Sequence, residues 1–339
     1  MRYALLLKSH GNIRYVQSLK KLAMAELGCI LKAWGIFAEI TTEEIGGGDF
    51  LIFTADTLSS DAWKAISHHA AICFAAIWEG ELLRPMPLVR ESYLPEDIAE
   101  VLKYKGKTNA DFTSMMLHCA KAASDFARTW EPLCILDPIC GRGTTLFCAL
   151  QEGQRAIGVE WDAKAIAEAD TYFSRYLKYH KMKHRRTTGS LTLPRGGNAK
   201  EIRYFFSNSN QSYQEGEGRT LRLVTGDTRD TVQMLGTQSC HLIVGDIPYG
   251  VQHAPKQGGK ATLLSKLFSE AIPVYQKTLK PGGVIALSFN EYTLSRNVIE
   301  QAMENAGLTV LRQFPYGDFS HWVEQAVQRD IVIGKREIE

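Results

Sequence analysis

The order of apolar and polar positions divides the chain into an N-terminal unit and a longer alternating unit. In the N-terminal unit, three runs have the apolar density of strands and two repeat apolar residues at helical spacing. The predicted strands are 1–8, 37–45 and 49–54, and the predicted helices are 13–34 and 60–77. Strand, helix, strand, strand, helix is the order of a ferredoxin-like α+β domain, which we expect over residues 1–95.

Over residues 96–339, short apolar runs alternate with segments of helical periodicity. This alternation predicts a Rossmann-like α/β domain, a doubly wound sheet with an antiparallel C-terminal strand. The predicted strands are 132–136, 156–160, 221–225, 241–245 and 284–289, with a closing hairpin over 308–314 and 324–334. The predicted helices are 110–126, 144–152, 263–279 and 294–306.

Four of the predicted parallel strands end in an acidic residue or lead directly into one. Ligands of open α/β sheets bind outside the carboxyl ends of the strands, so the four carboxylates are expected at one crevice. Each acid taken singly is also typical of an ordinary turn or helix cap. The four positions are Asp137, Glu160, Asp227 and Asp246.

The segment from Asp137 to Thr144 joins the first of these strands to a helix and contains two glycines. Glycine lets the backbone approach a ligand, and the amides at a helix start favour a negative group. Glu160, at the end of the next strand, has the placement of a carboxylate that accepts from ribose hydroxyls. The segment matches neither the three-glycine dinucleotide fingerprint nor the phosphate loop, so the glycines alone are weak support.

Asp246-Ile247-Pro248-Tyr249-Gly250 has the chemistry of a clamp for a planar amine. An exocyclic base amine is a poor nucleophile, and it needs an in-line position and acceptors for its hydrogens as charge develops. Asp246 and a backbone carbonyl provide acceptors, Pro248 restricts the backbone, and Tyr249 can stack on an unpaired base. The alternative is a plain turn after a strand.

These segments together resemble the S-adenosylmethionine-dependent amino-methyltransferases of nucleic acids. Among them, the chain is most similar to the tRNA guanosine-2-N-methyltransferases, because Ile247 stands where DNA enzymes usually have a second proline. The resemblance implies a class I methyltransferase domain. An alanine- and leucine-rich motif at 22–27 extends the likeness to the N-terminal unit, although the chain is too short after residue 90 for the complete THUMP domain of that family.

The resemblance also implies site residues. Thr108, in the segment Tyr104 to Asn109, would contact the methionine end of S-adenosylmethionine, Glu160 its ribose and Asp227 its adenine. Asp246, Pro248 and Tyr249 would be catalytic. The full set expected at the cofactor is Thr108, Asp137, Pro138, Cys140, Gly141, Gly143, Thr144, Glu160, Trp161, Asp227 and Asp246.

Composition restricts the remaining classes. An apolar fraction of 45% is ordinary for a soluble globular protein, and no apolar run is long enough to span a membrane. The seven cysteines are odd in number and lack Cys-x-x-Cys spacing, so we expect neither a disulfide framework nor a metal site. The short apolar N-terminus is not that of a secretory signal, and we expect a cytoplasmic protein without membrane partners.

The formal net charge of +2 does not indicate a nucleic-acid binder, but the basic residues are unevenly spread. Residues 178–200 contain seven Lys and Arg and no acid. We expect a flexible basic and polar insertion over 178–219 that contacts a phosphate backbone, or alternatively a merely solvated loop. The seven are Lys178, Lys181, Lys183, Arg185, Arg186, Arg195 and Lys200.

The sequence therefore predicts an S-adenosylmethionine-dependent N-methyltransferase that modifies N2 of guanosine in tRNA or another structured RNA. Two alternatives stay within enzymes: a DNA amino-methyltransferase, and a methyltransferase of a small-molecule or peptide amine. A third is a catalytically inactive cofactor-binding protein, which the intact Asp246 and Tyr249 disfavour. The sequence leaves open whether a small activator subunit or a homodimer is required.

Overall fold

The N-terminal unit is an antiparallel sheet covered on one face by helices. The structure is a computed structural model that describes residues 1–9, 13–102, 107–193, 198–247 and 260–338. The sheet order is β2-β3-β1-β4-β5, with β1 antiparallel to both of its neighbours. The elements are β1 (Arg2–Leu7), α1 (Ile13–Ala33), β2 (Ile40–Ile45), β3 (Gly48–Thr54), α2 (Ser60–Ser67), β4 (Ile72–Glu79) and β5 (Leu82–Met86).

The prediction of a helix over 60–77 was too long. Ser59 caps the N-terminus of α2 by accepting from the Ala62 amide, but the helix ends at Ser67. The alanine-rich stretch that follows becomes β4, which pairs with β1 and is buried at its central residues, Ala75 to Ile77. Tertiary pairing therefore overrides the helical propensity of alanine here. With β4 in place, the order β-α-β-β-α-β is that of the expected ferredoxin-like domain.

The second unit contains a large mixed sheet. Its elements, in chain order, are α3 (Ile98–Val101), α4 (Ala110–Ala123), β6 (Cys134–Asp137), α5 (Thr144–Gln151), β7 (Arg155–Glu160), α6 (Ala163–Tyr179), β8 (Lys183–Thr192), β9 (Asn198–Ser207), α7 (Asn210–Gln214), β10 (Arg219–Thr225), α8 (Thr231–Leu235), β11 (Cys240–Asp246), α9 (Lys260–Thr278), β12 (Leu279–Asn290), α10 (Arg296–Asn305), β13 (Thr309–Val310), β14 (His321–Glu324) and β15 (Val327–Lys335).

The strand order of this sheet is β13-β15-β12-β11-β6-β7-β10-β9-β8. Strands β10, β7, β6, β11 and β12 are parallel, and β15 runs antiparallel beside β12. The chain proceeds from β6 to one side through β7 and β10, and later from β11 to the other side through β12. The switch point therefore lies between β6 and β11, and the expected doubly wound fold is confirmed.

Helices cover both faces of the large sheet. One buried cluster joins α4, α5 and α6 to the sheet through residues such as Leu117, Phe147 and Phe173. The other joins α9 and α10 to the opposite face through Phe268, Tyr275 and related side chains. This three-layer arrangement leaves the carboxyl ends of the parallel strands as the open edge.

The expected insertion at 178–219 contains regular structure instead of a flexible loop. Strands β8 and β9 form an antiparallel hairpin that extends the sheet beyond β10. Most side chains of β8 are exposed, because the strand lies at the edge of the sheet. A polar edge strand lacks the alternating apolar pattern by which strands are recognised in sequence.

The hairpin distributes its basic residues between two ends of the sheet. Lys183 pairs with Ser207 at the amino end of β10, whereas Lys200 pairs with Thr225 at its carboxyl end. Lys178 lies in the last turn of α6, and Arg195 is outside the described residues. The basic segment therefore runs along the sheet edge from one end to the other and is not gathered at the acidic crevice.

No helix in the described part of the chain is long and apolar enough to cross a membrane. Over the same residues, no group of three or more His, Cys, Asp and Glu side chains is arranged to hold a metal ion.

Candidate active site

The loop between β6 and α5 is shaped by two glycines in the left-handed region. Gly141 has φ 51° and Gly143 has φ 92°. The Gly143 amide donates to the Cys140 carbonyl at 2.7 Å, and Gly143 immediately precedes the first residue of α5. A Cβ at Gly141 would meet no atom of the described residues within 4 Å. The loop thus offers a bare backbone surface at the start of a helix, as a cofactor loop requires.

Glu160 lies beside this loop at the end of β7. One carboxylate oxygen accepts from the Gly141 amide and the other from the Asp162 amide, each at 2.9 Å. The side chain is half-buried. Because each carboxylate oxygen has two lone pairs, both oxygens retain capacity for a diol while the backbone fixes their position.

Cys140 supports the loop from inside. Its side chain is buried, and a Cβ on Gly158 of β7 would lie only 2.6 Å from the Cys140 sulfur and 2.5 Å from Leu146. Only glycine at position 158 allows the loop to pack this closely on β7. The expected cofactor contact at Cys140 is therefore restricted to its backbone, since its thiol is directed into the protein.

Asp137 is almost fully buried at the end of β6, where it accepts from the Ile139 amide at 3.1 Å. Burial raises the pKa of its carboxyl from the ordinary 3.8 to about 7. Hydrogen bonds from the Thr145 hydroxyl and the Ile139 amide lower this pKa, whereas the charges of Glu160 and Asp246 raise it further. Asp137 is thus partly protonated near neutral pH. Its carboxyl organises the loop and adds less than a full negative charge to the crevice.

Asp246 ends β11 on the other side of the switch point. Its two carboxylate oxygens accept from two hydroxyls, those of Thr108 and Ser288. The Ile247 amide donates to the Ser288 carbonyl at 2.8 Å, which fixes the backbone directly after the aspartate. The carboxylate is therefore held in one orientation by residues from two other elements of the domain.

Thr108 reaches Asp246 because it precedes α4, whose N-cap Asn109 accepts from the Phe112 amide at 3.1 Å. The resemblance implied a contact with the methionine end of the cofactor. The structure places the Thr108 hydroxyl on the carboxylate of Asp246, which links the start of α4 to the proposed amine clamp.

Asp227, expected at the adenine, is engaged by a neighbouring guanidinium. Arg229 Nη2 lies 2.6 Å from one carboxylate oxygen and Nε lies 3.0 Å from the other, which is a bidentate pair. Arg229 also donates to Glu270 of α9 at 2.9 Å. An adenine amine would share the Asp227 carboxylate with this guanidinium, so Arg229 is a further residue at this end of the crevice.

The remaining predicted residues occupy varied environments. Trp161, next to Glu160, is 67% exposed, whereas Thr144 at the start of α5 is buried. Pro138 packs against β11, where its Cδ is 3.4 Å from the position that a Cβ would take on Gly245. Pro248 and Tyr249 lie outside the described residues, and so does Tyr104 of the upstream motif.

Sequence reasoning missed three residues of the site: Ser288, Thr145 and Arg229. Ser288 is fully buried in β12, where its neighbours Leu287 and Phe289 are apolar. A lone hydroxyl in a buried strand was a usable signal, because such a group requires a partner. Arg229 gave the weaker signal of an arginine two positions after an acid.

Comparisons with known proteins are limited to distant structural likeness. No family model matches the chain, and no curated protein matches it. TrmN from Thermus thermophilus aligns with 98% of this chain and 81% of its own, at 14% identity and a TM-score of 0.41. Magnesium protoporphyrin IX methyltransferase (ChlM) from Synechocystis PCC 6803, solved with bound SAM, aligns with 71% of this chain and 90% of its own, at 15% identity and a TM-score of 0.38.

A TehB-like SAM-dependent methyltransferase from Corynebacterium glutamicum aligns with 62% of this chain and 84% of its own, at 15% identity and a TM-score of 0.37. These likenesses are too distant to assign an activity. The fold assignment therefore rests on the strand order and pairing described above.

Proposed function

We propose that the protein is an S-adenosylmethionine-dependent N-methyltransferase that modifies an exocyclic base amine, namely N2 of guanosine in structured RNA. The observation that carries the proposal is the fixed carboxylate of Asp246 beside the glycine loop and Glu160. The glycine loop and Glu160 offer a surface for the cofactor, and Asp246 offers an acceptor for the amine. Both lie at the switch point of a doubly wound sheet, where ligands of this fold bind.

The residues present fit the cofactor. Glu160 is positioned to accept from both ribose hydroxyls, and among the described residues no side chain lies against the Gly141 backbone where the ligand would approach. Asp227 and Arg229 lie at the end of β10, on the far side of β7 from β6, where the adenine would follow the ribose. When bound, the cofactor supplies an electrophilic methyl group on a sulfonium.

Asp246 provides an acceptor for the hydrogens of the amine. The carboxylate would accept hydrogen bonds from the amine and stabilise the positive charge that develops on nitrogen as the nitrogen–methyl bond forms and the sulfur–methyl bond breaks. Thr108 and Ser288 hold its two oxygens, so little reorientation is needed when the base arrives. Pre-organised acceptors of this kind act mainly on the transition state and raise kcat more than affinity.

Two features support RNA as the substrate. Ile247 follows Asp246 at the position where the resembling DNA enzymes usually have proline. The exposed basic strand β8 at the sheet edge suits contact with a phosphate backbone over about 33 Å, the length of ten strand residues. Methylation of DNA or of a small amine remains the alternative outcome of the test.

The test is transfer of a tritiated methyl group to bulk tRNA and to duplex DNA, followed by nucleoside mass spectrometry. We expect N2-methylguanosine in the tRNA. Asp246→Asn is expected to lower kcat by roughly 100-fold or more while S-adenosylhomocysteine affinity stays near wild type, because the lost interaction belongs to the transition state.

Asp61→Asn is the matched control, since Asp61 is an exposed carboxylate in α2 of the N-terminal domain. It should leave kcat unchanged. Equal turnover by Asp246→Asn and wild type would refute the amine clamp. Preferential methylation of DNA would refute the RNA assignment, and cofactor binding without transfer to any amine would favour an inactive cofactor-binding protein.

A further inference from the structure

A second concave site lies between the two domains, at the edge of the large sheet opposite the carboxylate crevice. The cavity has a volume of about 520 Å³, within the range of small-molecule sites. Its walls include residues near the amino ends of three parallel strands: Trp130, four positions before β6, Gln154, directly before β7, and Arg219, at the first position of β10. Helices α1 and α2 of the N-terminal domain form the other wall.

The walls of this interdomain cavity carry an excess of cations. Lys64, Lys121 and Arg219 line it, together with the acids Glu91 and Glu152. Both acids have partners, since Glu91 accepts from Lys64 at 2.8 Å and Glu152 accepts from His118 at 2.9 Å. The remaining cations are therefore available to a ligand from outside the cavity.

Lys121 makes no ion pair within 4 Å among the residues that the structure describes; its ammonium instead lies 5.0 Å from the centre of the Trp130 ring. The side chain is half-buried, and burial lowers the pKa of Lys121, with Glu152 opposing that effect. Within the described part of the chain, the hydrogen bonds of the Arg219 guanidinium go to two backbone carbonyls, those of Gly153 and Gly218. Two poorly compensated cations in one cavity suit an anionic group such as a phosphate.

Aromatic faces adjoin these cations. Trp130 is 41% exposed, and its ring is approached by Lys64 at 4.6 Å and by His68 at 6.5 Å between ring centres. Tyr93 lies under the Arg219 guanidinium at 4.5 Å. Burial lowers the pKa of His68 to about 4, so its ring is neutral and offers one donor and one acceptor.

We propose that this cavity binds a nucleotide unit, with the phosphate on Lys121 and Arg219 and the base against the part-exposed ring of Trp130. Base stacking on an aromatic side chain and phosphate contact with neighbouring cations is the general mode of single-stranded nucleic-acid binding. The unit is either a free nucleotide or one nucleotide of an RNA strand, since both present the same chemistry. The proposal goes beyond methyl transfer and does not depend on it.

The experiment is isothermal titration calorimetry without methyl donor, with uridine 5′-monophosphate, uridine, inorganic phosphate and a short single-stranded oligoribonucleotide. We expect saturable binding of the monophosphate, and weaker binding of uridine and of phosphate alone. Lys121→Met and Arg219→Gln should each weaken binding about tenfold or more, the scale of a charge-assisted hydrogen bond.

Lys277→Gln serves as the control, because Lys277 is exposed at the end of α9 and does not line the cavity. Thermal unfolding without ligand should be no earlier for Lys121→Met than for wild type, since the variant removes a half-buried charge that has no ion pair among the described residues. That result separates a binding cation from a structural one.

Two further outcomes identify the source of the nucleotide. Much tighter binding of the oligoribonucleotide, lost in both cavity variants, would place an RNA strand in the cavity. Comparable binding of the monophosphate would indicate a free nucleotide. The proposal would be overturned if neither the monophosphate nor the oligoribonucleotide bound saturably, or if inorganic phosphate alone bound as tightly as the monophosphate. Unchanged binding in both cavity variants would also overturn it.

Discussion

Glu160 illustrates how single residues determine the crevice. Its carboxylate is fixed by the amides of Gly141 and Asp162, so the same side chain that would bind the ribose also holds the glycine loop. The strand-end acid could be predicted from sequence, because it follows a short apolar run. The two amide donors could not, since they depend on the left-handed turn at Gly141.

We predict that Glu160→Ala lowers affinity for S-adenosylhomocysteine by about ten- to a hundredfold, because charged acceptor bonds contribute roughly 1.5–3 kcal/mol. Glu160→Gln, which keeps one acceptor oxygen, should lose less. Calorimetric titration measures both. Wild-type affinity in Glu160→Ala would remove the residue from the cofactor site.

At the scale of elements, the strands with buried apolar runs could be predicted from sequence, whereas strands at the edge of a sheet could not. The parallel strands β6, β7, β10, β11 and β12 were found because each contains a short run of apolar residues that is buried in the sheet. The hairpin β8–β9 was not found, since its outer strand is exposed and polar. Strand β4 was mistaken for helix because its alanines fit both patterns.

The hairpin provides a test of RNA contact at the sheet edge. We predict that the double variant Lys183→Gln, Arg185→Gln reduces the slope of log affinity against log salt by about 1.4 for single-stranded RNA, at about 0.7 per phosphate contact. Both side chains are exposed. Filter binding of a single-stranded oligoribonucleotide across a salt series measures the slope.

Arg186→Gln is the matched control on the same strand. Arg186 already forms a bidentate pair with Asp170, at 2.9 Å for both bonds, and is therefore committed to α6. Its replacement should leave the salt slope unchanged. Equal slopes for wild type and the double variant would mean that β8 does not contact phosphates.

At the scale of the whole molecule, the two domains are joined by a buried charge cluster centred on His118. Its Nδ1 is 2.6 Å from Glu26 of α1 and its Nε2 is 2.9 Å from Glu152 at the end of α5. Burial alone would lower the pKa of His118, but Glu152 and Glu26 together raise it from 6.5 to about 10. These residues are far apart in sequence, so no local pattern predicted the cluster.

We predict that His118→Asn lowers the free energy of unfolding by about 3–5 kcal/mol at pH 7, because it leaves the buried carboxylate of Glu26 and the half-buried carboxylate of Glu152 without their cation. The folded-state pKa is raised, so the stabilisation is complete below pH 6.5 and is lost as pH rises through about 10. Urea unfolding at pH 6, 8 and 10 measures this.

The difference between His118→Asn and wild type should therefore narrow at pH 10. His184→Asn is a suitable control, since His184 lies in β8, outside the contact between the domains. A pH-independent difference would show that His118 acts through packing and not through its charge.

Helix α4 connects the two edges of the large domain. Thr108, next to its N-cap, holds Asp246, while His118 and Lys121 in its later turns face the interdomain cavity. Fourteen helical residues span about 21 Å, so α4 reaches from the carboxylate crevice to the interdomain cavity. A ligand at either end that shifts this helix along its axis would change the geometry at the other end. Thermodynamic reciprocity then requires each ligand to alter the affinity of the other by the same factor.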